Sequence, residues 1–357
     1  MNILFLPTNV ASVPSITATA LTQLEGVCAK SIVDGTHKYQ SIDKNTVVLP
    51  QRYGSRLHIV KWLKSRWDYG RELKKWIEWA DVLHYVWRPA IRNGLDLKWA
   101  KAKKKAIIIE WVGSDIRDPQ VLFKINPYYA KAFNNGYEYQ ELEKSNNKNE
   151  IQKLFAKVGA VASVSPEISL FLDKSLFPEH HLLNQRLNLR NFTPQYPSTQ
   201  TTKPLIIHSP TAKIAKGSDV IIPIIEELKN KYDFEFILLH DMSRDKVLEI
   251  MQKADIFLDQ IICGGYGMAA TEAMAFGKPV MCYIMPQVFE AGLPKEFPAV
   301  NTNPDNLKEQ LIKLITNPQL RNDVGKQSRS YAEKYFDAGK IAIQLIGIYK
   351  SALEKRV

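Results

Sequence analysis

Three glycines, Gly264, Gly265 and Gly267, stand between an apolar run at residues 256–258 and a run of helix formers at residues 268–276. An acid, Glu272, sits about one turn into that second run. Glycine lets a backbone turn sharply or approach a ligand closely. A glycine loop feeding a helix start is an anion site, because free backbone N–H groups and the helix dipole point the same way. Glu272 could reach a hydroxyl beside the bound anion, and phosphate together with polyol suggests a nucleotide-sugar. The plainer reading of Glu272 is an acid on a helix surface. Upstream, His208-Ser-Pro-Thr-Ala-Lys213-Ile-Ala-Lys216-Gly217 sets two lysines beside a glycine turn at a helix entrance. Each suits a pyrophosphate as a point charge; a solvated loop is the alternative. Gly265-Tyr-Gly267-Met-Ala-Ala270 also fits the loose dinucleotide pattern G-x-G-x-x-A. Against it, five residues separate the strand from the first glycine of the cluster, and the motif stands late in the chain.

The stretch resembles the donor-site signature of GT-B glycosyltransferases of the retaining, family-4 type. The matching positions are Gly265, Tyr266, Gly267, Met268 and then Glu272 through Val280, in the form Glu-Ala-Met-Ala-x-Gly-x-Pro-Val. The signature opens with an acid eight residues before the second glutamate, and here that position is Gly264. The resemblance implies that Glu272 contacts the donor ribose, while the sugar contact usual for the first acid does not carry over. It also fits Lys216-Gly217, with Lys213 an offset stand-in for the basic residue that precedes Lys-Gly. His240-Asp241 ends a strand facing the same cleft, near the nucleotide base.

In the first half of the chain, Trp111-Val112-Gly113-Ser114-Asp115-Ile-Arg117 resembles the His-Gly-Ser-Asp turn of the same family, with Val112 where a histidine often stands. Asp115 could touch an acceptor hydroxyl or cap a helix, capping being the commoner fate. His84 matches a histidine that often ends a first-domain strand in the family; a core histidine is the other reading. The catalytic candidates are therefore His84, Asp115 and Lys216. The donor-binding candidates are Lys213, Lys216, His240, Gly265, Tyr266, Gly267, Met268 and Glu272. No Asp-x-Asp metal motif, Walker loop, zinc spacing or Ser/His/Asp triad is evident, so no metal and no cofactor is expected, the nucleotide-sugar being substrate.

These residues need elements to hold them. The apolar runs predict strands at residues 2–6, 27–33, 46–49, 81–86, 106–111 and 160–164, with helices at 15–24 and 57–80 and another opening at Ser165-Pro166-Glu167. Residues 126–149 are polar, tyrosine-rich and without a clean period, which reads as an insertion or cap. A Pro/Thr-rich linker follows at 193–204. Strand and helix then alternate again: strands at 205–208, 234–239, 256–258 and 280–284, helices at 219–230, 243–253 and 268–276, with further helices from about residue 304. Such alternation predicts parallel sheets with helices on both faces. The fold class is α/β, with two Rossmann-like doubly wound domains facing across a cleft. The first spans residues 1–192 on the acceptor side and the second, 205–335, takes the donor. In the resembling family the last helix, here 336–357, crosses back to the first domain.

At 357 residues the chain is long enough for two domains with substantial cores. Its start has no basic leader and reads as a first strand. No apolar run approaches the ~20 residues of a membrane helix. Cys28, Cys263 and Cys282 fit neither ligand nor disulfide spacing, so a cytoplasmic protein is expected. A net charge of +11 invites an acidic partner. Residues 57–80 carry Lys61, Lys64, Arg66, Arg71, Lys74 and Lys75 outside an apolar stripe of Ile59, Leu63, Leu73, Trp76, Ile77 and Ala80, with Trp67 and Trp79 off the stripe. A solvated amphipathic helix is one reading, docking at an anionic membrane from its cytoplasmic face the sharper one. Nucleic acid finds no supporting signature. The expected activity is metal-independent transfer of a hexosyl group from a nucleotide-sugar to a glycan or lipid-linked acceptor, with retention, in cell-surface polysaccharide or glycoconjugate assembly. The rival is a catalytically silent nucleotide-sugar-binding or scaffold protein of the same fold.

Overall fold

A computed structural model of the chain describes residues 1–8, 10–33, 44–55, 57–144 and 147–355, without the side chain of residue 147. The first sheet comprises β1 (Asn2–Pro7), β2 (Cys28–Val33), β3 (Thr46–Val48), β4 (Val82–Val86), β5 (Ala106–Trp111), β6 (Val161–Val164) and β7 (His180–Leu182). Their order is β3-β2-β1-β4-β5-β6-β7, every pair parallel. β4 and β5 are buried at every residue, as central strands covered on both faces must be.

The second sheet holds β8 (Leu205–His208), β9 (Glu235–Leu238), β10 (Ile256–Leu258), β11 (Val280–Cys282) and β12 (Val300–Asn301). It too is parallel, in the order β12-β11-β10-β8-β9. The order in which strands are added switches sides between β1 and β4 in one sheet and between β8 and β10 in the other. Ligands bind at such switch points, beyond the carboxyl ends of the strands. β7 and β12, three and two residues long, were not foreseen. The helix expected at Ser165 is a single 3-10 turn, Ile168–Phe171.

Residues 126–144 and 147–149 belong to a helical insertion between β5 and β6, with helices Pro119–Ile125, Pro127–Phe133, Gln140–Lys144 and Asn147–Lys157. It touches the second domain directly. Asn126 Nδ2 donates to the Ile262 carbonyl at 2.8 Å. The Glu138 carboxylate accepts from the N–H groups of Ile214 and Ala215 at 2.9 and 3.0 Å. Two of its tyrosines, Tyr129 and Tyr137, are buried anchors.

Helix Ala338–Glu354 returns to the first sheet, where Ile341, Leu345 and Ile348 pack with Ile3, Phe5, Val82 and Ile108. Helix Ile59–Trp79 lies on the opposite side, and only its later turns are seated. Tyr69, Leu73 and Ile77 are buried, but Ile59 and Leu63, expected on the same inner stripe, are each 55% exposed. The periodicity is helical throughout, yet the protein layer beneath ends before the first two turns among the described residues.

Candidate functional site

The carboxyl ends of the two sheets meet around a cavity of about 530 Å³. Val10 and Ala11 follow β1, Val112 and Arg117 follow β5, and Ser165 and Glu167 follow β6. Facing them are Ser209–Thr211 after β8, Leu239–Met242 after β9 and Gln260 after β10.

The glycine loop forms the floor. Gly264 has φ +83°, a conformation that side chains rarely adopt, and a Cβ there would lie 2.4 Å from Met285 Cγ. At Gly265 a Cβ would lie 2.1 Å from the Glu167 carboxylate, so glycine is what lets the two domains touch there. Gly265 itself is beneath the lining and contributes its carbonyl, which accepts from Gln260 Nε2 at 2.7 Å. Tyr266, Gly267, Met268 and Ala269 do line the cavity. Tyr266 stacks against Phe297 at 4.8 Å, an anchor for the loop. Helix Met268–Ala275 opens at Gly267 with no side chain capping it, so its first N–H groups are available to an anion. It ends as the sequence requires, with Gly277 at φ +75°.

Glu272 is buried in the cavity wall and ion-paired to Arg244, at the start of helix Arg244–Lys253. Burial pushes the Glu272 carboxyl up, and Arg244 opposes that shift. Lys216 ends the short helix Lys213–Lys216, which Gly217 terminates at φ +83°. Its ammonium pairs with the fully buried Asp259 carboxylate beyond β10. Burial pulls the lysine down, but Asp259 outweighs it and the net direction is up, so the charge is held. His240 lines the cavity at the apolar end with Leu239, Met242, Val247 and Met251, its Nε2 3.3 Å from Asp241 Oδ2.

Three candidates sit elsewhere. Lys213 is exposed and outside the cavity lining, because it occupies the opposite end of its one-turn helix. His84 is wholly enclosed in the first domain. Its ring stacks on Phe5 at 4.7 Å, its Nδ1 is 2.7 Å from the Tyr349 hydroxyl and its Nε2 is 3.2 Å from Glu110 Oε2. Burial pulls its pKa below the usual value. It is a core histidine, covered by the last helix. Asp115 is also buried and accepts N–H bonds from Val112, Gly113 and Ile116, so its carboxylate organises the turn. Its neighbours Val112 and Arg117 reach the cavity while it does not.

The site also holds Arg244, Glu167, Arg117 and Asp259, none of which was singled out from the sequence. Asp259 directly follows a strand end and could have been found on that ground. Arg244 and Glu167 carry no local signal, since each matters through a partner on another element.

Residues 224–331 match the family model described as glycosyl transferases group 1. An uncharacterized glycosyltransferase of Methanocaldococcus jannaschii is 27% identical over 146 residues, which is 34% of this chain and 40% of that relative's length. Three solved structures align over nearly the whole chain. Sucrose-phosphate synthase from Thermosynechococcus elongatus has a TM-score of 0.62 at 14% identity, covering 99% of each chain. A glycosyltransferase from Rickettsia africae ESF-5 has 0.62 at 14%, covering 99% of this chain and 98% of its own. Anabaena Alr3699/HepE in complex with UDP-glucose has 0.59 at 13%, covering 98% and 100%. At these identities the likeness is one of fold, and the fold is GT-B, two Rossmann-like domains facing across a cleft.

Proposed function

We propose that the chain is a glycosyltransferase that moves a sugar, of hexosyl type and with retention, from a nucleotide-sugar to a glycan or lipid-linked acceptor. The observation that carries the reading is the meeting of Lys216, the uncapped start of helix Met268–Ala275 and Glu272 in one cavity between the two sheets. The match to glycosyl transferases group 1 over residues 224–331 supports it, as does a neighbour of the same fold in complex with UDP-glucose.

In this reading the diphosphate lies against the helix start and Lys216, and a ribose hydroxyl donates to Glu272. The base enters the apolar end between Leu239, Met242, Val247 and Met251. As the bond from the anomeric carbon to the phosphate oxygen breaks, the electron pair moves onto the diphosphate. Lys216 and the helix N–H groups meet that charge where it develops, which is where preorganised donors accelerate a reaction. The acceptor hydroxyl attacks from the first-domain side, and its proton passes to the departing diphosphate oxygen. No protein base is assigned: His84 is enclosed in the core and Asp115 is occupied by backbone N–H groups.

Donor hydrolysis and transfer, assayed with UDP- and GDP-sugars with and without acceptor extract, test the reading. Binding without turnover in every case would favour a silent nucleotide-sugar-binding protein instead.

A lipid-linked acceptor at the inner face of a membrane is favoured by helix Ile59–Trp79. Val60, Leu63 and Trp67 recur on one outward stripe and are 75%, 55% and 67% exposed. Arg71 and Lys74 continue that stripe, with Lys64 and Lys75 beside it. Apolar side chains flanked by cations suit the interface of an anionic bilayer. No helix among the described residues is long and apolar enough to cross a membrane, so the contact proposed is peripheral.

A further inference from the structure

We infer that Glu167, a residue of the first domain, takes hydroxyls of the donor sugar from across the cleft, where the glycine loop itself offers no acid. The inference rests on the nucleotide-sugar reading above. Gly264 has no side chain to offer, and Met285 fills the space one would occupy. One residue on, the Glu167 carboxylate lies directly over Gly265, where any Cβ would collide with it. That carboxylate lines the cavity beside Tyr266 and Gly267, next to the helix start that faces the diphosphate. The sugar leaves the diphosphate at that point, so its hydroxyls fall within reach of this wall.

The bonding of Glu167 fits a ligand. Arg117 Nη2 donates to Glu167 Oε1 at 2.8 Å, and the side chain is only 8% exposed. Oε2 has no hydrogen-bond donor among the described residues. Glu143, the other carboxylate on Arg117, differs: Ser114, Tyr129, Tyr137 and Arg117 all donate to it. Glu143 is saturated by protein, while Glu167 keeps an open acceptor oxygen against the cavity. An acceptor oxygen with no protein donor, opening on the cavity, is free to take a ligand hydroxyl. Arg117 holds the carboxylate in place through Oε1, and a carboxylate has the lone pairs to accept from two vicinal hydroxyls of a hexose. Ribose and diphosphate contacts come from the second domain and the sugar contact from the first, so the donor spans the two only when its sugar is attached.

Calorimetric titration of UDP, UDP-glucose, GDP and GDP-mannose into wild type, Glu167→Gln and Glu167→Ala tests this. Glu167→Gln preserves the shape and an acceptor for Arg117; Glu167→Ala removes the carboxylate and leaves the glycine loop untouched. Both variants are expected to bind the free nucleotide as wild type does. Both should lose on the order of tenfold to a hundredfold in affinity for the matching nucleotide-sugar. If the free nucleotide and the nucleotide-sugar lose equally, or neither loses, the assignment of Glu167 is overturned. If wild type binds none of the four, the nucleotide-sugar reading falls and this inference with it.

Discussion

Arg244 and Glu272 stand at the facing sides of two neighbouring helices and form an ion pair in the cavity wall, the arginine half-exposed and the glutamate buried. Burial raises the Glu272 carboxyl, and Arg244 offsets part of that rise.

Glu272→Ala should therefore weaken nucleotide binding by about 1.5–3 kcal/mol, the range for a charge-assisted hydrogen bond. Arg244→Met should act through Glu272: without the guanidinium the carboxyl shifts further up, so UDP affinity should begin to fall at a higher pH than in wild type. Titrations at several pH values check both, and unchanged affinity in a folded Glu272→Ala protein would remove that residue from the site.

Lys216 carries two loads, a buried partner and a proposed diphosphate. Lys216→Ala should depress turnover more than donor binding, since the charge it meets develops as the bond breaks. It should also destabilise the fold by about 3–5 kcal/mol by leaving Asp259 buried and unpaired. Lys216→Met combined with Asp259→Asn should restore thermal stability without restoring turnover. A change confined to the acceptor KM would move the lysine to another part of the cleft.

The core network of the first domain predicts a pH dependence of stability. Burial pushes Glu110 up, but the two 2.6 Å bonds from Arg186, with His84, overcome it and leave the carboxyl at about 2. Its contribution is full above the unfolded value near ~4.3 and is lost as pH falls toward the folded one. His84 is held neutral by burial. As pH falls below ~6.5 the unfolded chain takes the proton first, and stability declines. Asp115, pushed up to about 6 by burial, works in the opposite sense at intermediate pH. The difference in Tm between wild type and His84→Gln isolates the histidine. It should shrink as pH is lowered from 8 to 5, and a constant difference would refute the account.

Membrane docking should show in vesicle co-sedimentation. The full chain should bind vesicles containing anionic lipid, bind neutral ones weakly, and release as salt shortens the Debye length. Leu63→Ser with Trp67→Ser should weaken binding and leave nucleotide affinity unchanged, because neither residue lines the cavity. Equal binding to both vesicle types, or to neither, would make a soluble acceptor the better choice.

The sequence made some of this legible. Lys216-Gly217 and the glycine loop through Glu272 could be placed because glycine marks where the backbone turns, and the chemistry sits beside the turn. β4 and β5 announced themselves as short apolar runs, each broken by one polar residue, His84 and Glu110. His84 was misplaced because its cover is Tyr349, 265 residues away along the chain. Ile59 and Leu63 were misplaced because periodicity gives the direction of a face but not how far the supporting sheet extends. Glu167 acquires its place only through Gly265, and no local pattern records a meeting between domains.

Helix Ala338–Glu354 covers the face of the first sheet that β1 begins. During synthesis Ile3 and Phe5 emerge more than three hundred residues before Ile341 and Leu345. At roughly 5–20 residues per second, that is a delay on the order of tens of seconds. For that time the nascent first domain presents an apolar sheet face covered only in part, by helix Val13–Leu21, and so a surface for a ribosome-associated chaperone to occupy. A circular permutant with residues 338–354 placed ahead of β1 would abolish the delay while keeping every contact of the finished fold.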